Sequence, residues 1–379
     1  MIKRIIRSVF YLVAIALLFE VFARLDDLIT YDAPFFRVYS YDTMLVDRDE
    51  FGSKGKANGR YEKWILNSHG FRGPEIQIER PKGLIRIVTF GASETFGLYE
   101  SPGKEWPNQL RAALQTLYPD RKIEVINAAR AGLSLESSKD YFEHRVLKFH
   151  PDIVLYYQGF SEYMDKDSLR PQKATIEQQQ KLKARTSSRE HSQGLMDLIN
   201  QTRIYPKIKE AFKQKGPKRI VNWFQARNVQ TIEARIDKER QIERIDHIQV
   251  DYYREKLKEF VSFLREHNIT VLLAEHDVDL QCKGTYIVLW KYHPSVSADA
   301  LRQGYPLLNN AIRTVARETG SLFVEQKSLL QNPAENFAED GIHLTDKGAE
   351  RLMQNFLPGL RTVLAGPIDR TEYRTAVRK

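Results

Sequence analysis

A single cysteine, Cys282, stands in the whole chain. An intrachain disulfide is therefore excluded, and so is a metal cage built from cysteines. The missing disulfide does not assign a compartment, because many exported proteins fold without one. Acidic residues are in the minority: 49 Asp and Glu face 58 Lys and Arg, for a formal net charge of +9. Such an excess suits nucleic acid, anionic lipid or an acidic polymer. Zinc-finger spacing, a recognition-helix pattern and an aromatic RNA-binding signature are all missing, which sets nucleic acid aside. No internal repeat is found. His69, His144, His150, His276 and His293 form no evident metal-ligand pair, so neither a metal nor a cofactor is expected.

What is present is ordinary for a folded protein. The 379 residues are 42% hydrophobic and 28% charged, which argues against wholesale disorder. That length suits a single elaborated α/β domain.

Long apolar runs are confined to the N-terminus. Lys3, Arg4 and Arg7 precede an apolar stretch from Val9 to Leu18; Glu20 interrupts it, and Val21 to Ala23 resume it. A buried soluble helix would not normally sit at the extreme N-terminus behind a basic cluster. A cleaved signal peptide fits, with Val21-Phe22-Ala23 as a small-residue cleavage site. An uncleaved anchor over residues 5–23 fits as well, being about as long as a bilayer requires. The expectation is a single-pass anchor in a bacterial inner membrane. The basic flank keeps the N-terminus cytoplasmic and the rest periplasmic.

Residues 25–82 read as an arm without sustained period, with Asn67-Ser68-His69-Gly70-Phe71-Arg72-Gly73 as a glycine turn around a buried Phe71. Strands and helices then alternate. Strands are predicted at Ile85 to Phe90, Ile123 to Ile126, Ile153 to Tyr157, Ile269 to Ala274 and Leu322 to Glu325. Helices are predicted at Trp106 to Leu117, Leu135 to Phe149, Tyr252 to His267 and Leu307 to Thr319. A last helix is capped by Thr345 and ends at Pro358. Strands separated by helices imply a parallel five-stranded sheet covered on both faces, a three-layer α/β/α sandwich over residues 83–362. A basic, glutamine-rich stretch at about 163–250 breaks the alternation. It reads as a helical cap with a solvated basic face, or as a surface for anionic lipid or an acidic polymer. Residues 363–379 form a tail.

Chemistry gathers where the strands end. Gly91-Ala92-Ser93-Glu94-Thr95 follows the first strand, Asn127 through Gly132 the second, and Gln158-Gly159-Phe160-Ser161-Glu162 the third. Asp340-Gly341-Ile342-His343 precedes the last helix. A serine hydroxyl is a poor nucleophile until a neighbouring base accepts its proton. An imidazole does this at neutral pH, with a carboxylate on its other nitrogen to fix the tautomer. An Asp three residues before a His supplies both from one loop. The N–H groups of Ser93 and Gly132 are candidate donors to the oxyanion. Taken singly, Ser93 also reads as a helix cap, His343 as a loop histidine, and Gly132 as a purely conformational glycine. Glu94 and Glu162 read as structural or rim residues.

These blocks together resemble the SGNH/GDSL hydrolases, especially their bacterial membrane-anchored branch. Gly91-Ala92-Ser93 matches the nucleophile block, Asn127 through Gly132 the glycine block, Pro151-Asp152 through Glu162 the third, and Asp340 to His343 the Asp-x-x-His block. The resemblance covers about residues 67–362 without the insertion. It implies a flavodoxin-like sheet and a triad of Ser93, His343 and Asp340. It also implies an oxyanion hole of Ser93, Gly132 and the residue at 161. Ala92 stands where the family often has Asp. Ser161 stands where it usually has an Asn that donates a side-chain amide, and Gln158 is a conceivable substitute. The expected activity is ester hydrolysis on an O-acylated envelope carbohydrate or lipid. An O-acyltransferase, or a weakened binding or scaffold protein of an envelope assembly, remains open.

Overall fold

The computed structural model of the chain describes residues 2–159, 202–205, 207–208, 244, 247–282, 284–285, 297–326 and 328–366. Ser161, His293, most of the basic insertion and most of the C-terminal tail lie outside the described residues. The described residues fall into two compact units.

The first unit holds residues 1–46, 60–63 and the described part of 202–208. Its main element is α1 (Ile2–Tyr31), a helix of 30 residues. Within it, Ile6–Tyr31 is long and apolar enough to cross a membrane, with a mean hydropathy of 2.0 in its most apolar window. The helix runs past Ala23, because neither glycine nor proline interrupts the chain before Pro34. From Glu20 onward it is tied to protein. Glu20 accepts the Arg24 Nε–H at 2.8 Å and the N–H groups of Arg203 and Ile204 at 2.9 and 3.0 Å. Asp27 is buried, 3.6 Å from Arg203 Nη1 and 2.7 Å from Lys207 Nζ.

The second unit is built on a five-stranded sheet. Its strands are β1 (Ile85–Phe90), β2 (Ile123–Asn127), β3 (Ile153–Tyr156), β4 (Thr270–Ala274) and β5 (Leu322–Val324). All neighbouring pairs are parallel and the order is β2-β1-β3-β4-β5. Every residue of β1 is buried, as expected of a strand covered on both faces. One face packs Val88, Phe90, Val154 and Leu273 against α4 (Leu135–Tyr141), α5 (His247–Glu266) and α6 (Ala298–Thr319). The other packs Ile87, Val125, Leu155 and Leu272 against α3 (Trp106–Leu117) and α7 (Asp346–Ala365). There Trp106 stacks on Phe356 with ring centroids 5.1 Å apart. The expected three-layer sandwich is present.

Four helix limits differ from the sequence reading, α5 starting at His247 where Tyr252 was predicted. The helix predicted from Leu135 to Phe149 is α4 followed by a wide π-type turn at Phe142–Val146 and a 3-10 turn at Leu147–Phe149. This winding buries Phe142, Val146 and Phe149 together. Helix α6 begins at Ala298, nine residues before the predicted start, and includes Pro306. A proline inside a helix costs a hydrogen bond. The Ser297 hydroxyl, which accepts Ala300 N–H at 3.1 Å, and the buried Leu301 and Tyr305 offset that loss. Helix α7 likewise continues through Pro358, burying Leu360 and Leu364 beyond it.

The strand order decides where chemistry can sit. The connections leave β1 and β3 toward opposite sides, so a crevice opens beyond their carboxyl ends. The residues after β1 and β3 line that crevice.

Candidate active site

The short helix α2 (Ser93–Phe96) starts three residues after β1 ends, with Ser93 as its first residue. Gly91 is required by close approach: a Cβ there would stand 1.9 Å from the Tyr157 carbonyl oxygen, at the end of β3. Thr95 Oγ1 donates to that same carbonyl at 2.5 Å, and Asn127 Nδ2 donates to Thr95 O at 3.2 Å. The tips of β1, β2 and β3 are thus joined through α2. From outside the sheet, the buried Arg72 donates to Phe96 O at 2.9 Å and also to Gly97 O. Its Nη2 lies 3.3 Å from Glu105 Oε2.

The Asp340–His343 loop is set by one side chain. Asp340 Oδ1 accepts the N–H groups of Ile342 and His343 at 3.0 and 2.9 Å. Gly341, directly after Asp340, has φ +66°, the left-handed region that favours glycine. The other oxygen, Oδ2, is 2.7 Å from His343 Nδ1. The ring of Tyr99 stacks on the imidazole, with centroids 4.8 Å apart and an interplanar angle of 18°. Burial alone would raise the Asp340 pKa, but the hydrogen bond and charge of His343 outweigh it and bring it down to about 2. Burial alone would lower the His343 pKa, but the hydrogen bond to Asp340 and the charges of Asp340, Glu94 and Glu100 together outweigh it and raise it.

Ser93 does not bond to His343 in this structure. Its hydroxyl donates to Glu94 Oε2 at 3.2 Å, while His343 Nε2 is buried with no partner among the described residues. Glu94 is 4% exposed, and its Oε1 lies 3.4 Å from His276 Nε2. Burial opposes its charge. The His276 hydrogen bond and the charges of His276 and His343 overcome that and take it to about 2. Glu100, also buried, goes the other way. Desolvation lifts it to about 8 against the pull of its backbone, Arg72 and His343.

Gly132 has φ +72° and open space where a Cβ would be, so backbone conformation requires the glycine, not close approach. The N–H groups of Ser93 and Gly132 donate to no group among the described residues. The Gln158 amide is already engaged: its Nε2 donates to Leu133 O at 3.0 Å and its Oε1 accepts from Ser138 Oγ at 3.4 Å. Ser161 lies outside the described residues.

Sequence reasoning singled out Ser93, Asp340 and His343, read Glu94 as structural or rim and left His276 unassigned, and it did not name Tyr99 or Glu100. A signal existed for two of them. Glu94 directly follows the serine, and Glu275-His276-Asp277 is an ionisable run at the tip of β4.

Residues 89–351 match the profile of the GDSL-like lipase/acylhydrolase family. No curated protein matches the chain. Among solved structures, the chain is similar to Axe2, an acetylxylan esterase from Geobacillus stearothermophilus, at 15% identity and a TM-score of 0.41, covering 76% of this chain and 97% of that one. It is also similar to LAE5, an α/β hydrolase enzyme from the metagenome of Lake Arreo, at 16% identity and a TM-score of 0.41, covering 72% and 94%. With its family profile matched from the end of β1 into α7, the chain belongs to the GDSL-like lipase/acylhydrolase family.

Proposed function

We propose that the chain is a membrane-anchored serine esterase acting on an O-acylated carbohydrate or lipid of a bacterial envelope. The 2.7 Å contact between His343 Nδ1 and Asp340 Oδ2, with Nε2 left open, is the observation that carries it. In the proposed reaction the Ser93 hydroxyl turns from Glu94 to His343 Nε2. Its proton passes to that nitrogen as Oγ bonds to the ester carbonyl carbon, and the carbonyl electron pair moves onto oxygen. The N–H groups of Ser93 and Gly132 receive that oxyanion, with Ser161 as the third donor. His343 then gives the proton to the departing alcohol as its C–O bond breaks. Water attacks the acyl-enzyme by the reverse sequence and releases the acid.

Helix α1 supplies the anchor in this reading. Residues before Glu20 span about 27 Å at 1.5 Å per residue, close to the roughly 30 Å hydrocarbon core. The bonds of Glu20 to the N–H groups of Arg203 and Ile204 favour a retained helix over a cleaved signal peptide, since cleavage after Ala23 would remove Glu20 from the first unit. Lys3, Arg4 and Arg7 support a topology with the N-terminus in the cytoplasm and the catalytic unit outside.

The test is activity-based labelling with a fluorophosphonate. Labelling at Ser93 that disappears in Ser93→Ala and slows strongly in His343→Ala is expected. A folded wild type that stays unlabelled, where a related active enzyme reacts, would overturn the esterase.

A further inference from the structure

The proposed triad leaves Glu94 and His276 unused, yet much of the fold is arranged around them. Burying a carboxylate is costly unless it is paired. Glu94 is buried on the first turn of α2 with one oxygen at the Ser93 hydroxyl, 3.2 Å, and the other at His276 Nε2, 3.4 Å. Gly159, at the tip of β3, makes room for it: a Cβ there would stand 2.0 Å from Glu94 Oε1. His276, just beyond β4, is held from α6, where Asn309 Oδ1 accepts its N–H and Asn309 Nδ2 donates to its carbonyl, both at 3.0 Å. Its ring packs beside those of Tyr157, at 5.0 Å between centroids, and Tyr305, at 6.3 Å. Elements from β1, β3, β4 and α6 therefore converge to hold one carboxylate against the nucleophile. A rim glutamate needs none of this.

We propose that Glu94 is a second catalytic carboxylate of the same site, holding the Ser93 hydroxyl in the resting enzyme and stabilising the His343 imidazolium that forms on attack, with His276 as its positioning residue. This rests on the esterase reading. Glu94 takes no proton: the Ser93 proton still goes to His343 Nε2, and no bond to Glu94 forms or breaks. Its role is electrostatic. The attraction is mutual, since Glu94 and His343 each favour the charged form of the other. The groups facing His343 are Asp340 from its own loop, Tyr99 stacked on its ring, and Glu94 and Glu100 from the chain after β1. Those facing Glu94 are His276, His343 and Tyr157. Glu100 is protonated below about pH 8, which leaves Asp340 and Glu94 as the negative charges acting on the imidazole in the acid range.

The experiment uses the full chain in detergent with p-nitrophenyl acetate as probe, reading kcat/KM against pH and checking folding by thermal melting. Glu94→Gln keeps shape and an acceptor for Ser93 but removes the charge. Its acid limb is expected to move down by about one pH unit, a tenfold change in the His343 protonation equilibrium. An acid limb unchanged from wild type in folded Glu94→Gln overturns the proposal while leaving the esterase intact. Asp340→Asn, which keeps Glu94, is the second variant. Its acid limb is expected below wild type, because burial exceeds what Glu94 alone supplies, and it should fall further when Glu94→Ala is added. Equal limbs in Asp340→Asn and the double variant overturn the proposal even if Glu94→Gln fails to fold. A wild type with neither hydrolysis nor fluorophosphonate labelling removes the esterase itself, and the inference with it.

Discussion

Asp340 holds His343 twice, through the backbone N–H at 2.9 Å and through ring Nδ1 at 2.7 Å. One carboxylate thus fixes the loop and the imidazole tautomer together. With Asp340 ionised down to about pH 2, Nδ1 carries the hydrogen and Nε2 is the free base. Replacing Asp340 by Asn keeps the shape but allows the amide to bond the wrong tautomer. The expected loss in kcat is about 10⁴-fold. In the wild type His343 titrates above its ordinary value, so activity should fall away on acidification from a midpoint above about 6.5. The variant's midpoint should lie lower, because the largest favourable partner of the imidazolium is gone. A pH–rate profile of both proteins checks the sign.

The N-terminal helix makes a prediction that mass spectrometry settles. Ala23 is 7% exposed and Asp27 is 6% exposed, both on the turns that pack into the first unit. The membrane-extracted protein should therefore retain its first 23 residues. A mature chain that begins at Arg24 would show that the helix is a removed signal. Asp27→Ala should destabilise the first unit, since Arg203 and Lys207 lose their shared buried partner. Removing one member of a buried pair typically costs about 3–5 kcal/mol. Lys207 is more exposed than Arg203, which puts the expected value at the lower end.

The sheet was readable because its strands are short β-branched runs bounded by turns, and Ile85 to Phe90 matches β1 residue for residue. The Asp340–His343 contact was readable because its geometry is local, an Asp and a His three residues apart, and so was the position of Ser93, after a glycine at a strand tip. Helix limits at Pro306 and Pro358 were not, because burial of Leu301, Tyr305, Leu360 and Leu364 overrides the local signal of a proline. The Glu94–His276 contact was not legible for a different reason. It joins the ends of β1 and β4, far apart in the chain, and nothing in either segment alone distinguishes a buried Glu–His contact from two solvated side chains.

Arg72 connects the arm to the nucleophile turn, and its loss should be felt in both. Its guanidinium donates to the carbonyls of Phe96 and Gly97, faces Glu105, and lies 5.5 Å from the Phe96 ring centroid. Arg72→Met should cost about 3–5 kcal/mol in urea denaturation, because Glu105 is left buried without its cation. Lysine offers a single ammonium in place of the planar fork, so Arg72→Lys should recover only part of that stability. Fluorophosphonate labelling should slow in both variants, because the carbonyls that Arg72 holds belong to the turn carrying Ser93. Labelling at the wild-type rate in a destabilised Arg72→Met would confine Arg72 to folding.

Glu100 gives the structure a pH dependence of its own. An unfolded glutamate loses its proton near pH 4.3. In the folded chain burial keeps the proton on until about pH 8. Between those values Glu100 binds more protons in the folded state than in the unfolded state, so its contribution to stability falls as pH rises. Glu100→Gln replaces the acid with a neutral group of the same shape and removes this term. The difference in Tm between variant and wild type should therefore shift in favour of the variant from about pH 4.5 to 8, then level off once Glu100 is ionised in both states. The position of Glu100 beside His343 ties this to chemistry, because ionisation above pH 8 adds another negative charge near the imidazole and further favours its protonated form. A Tm difference that stays constant across the whole range would mean that Glu100 is already ionised in the folded protein at neutral pH. The balance would then lie with Arg72 and His343, not with burial.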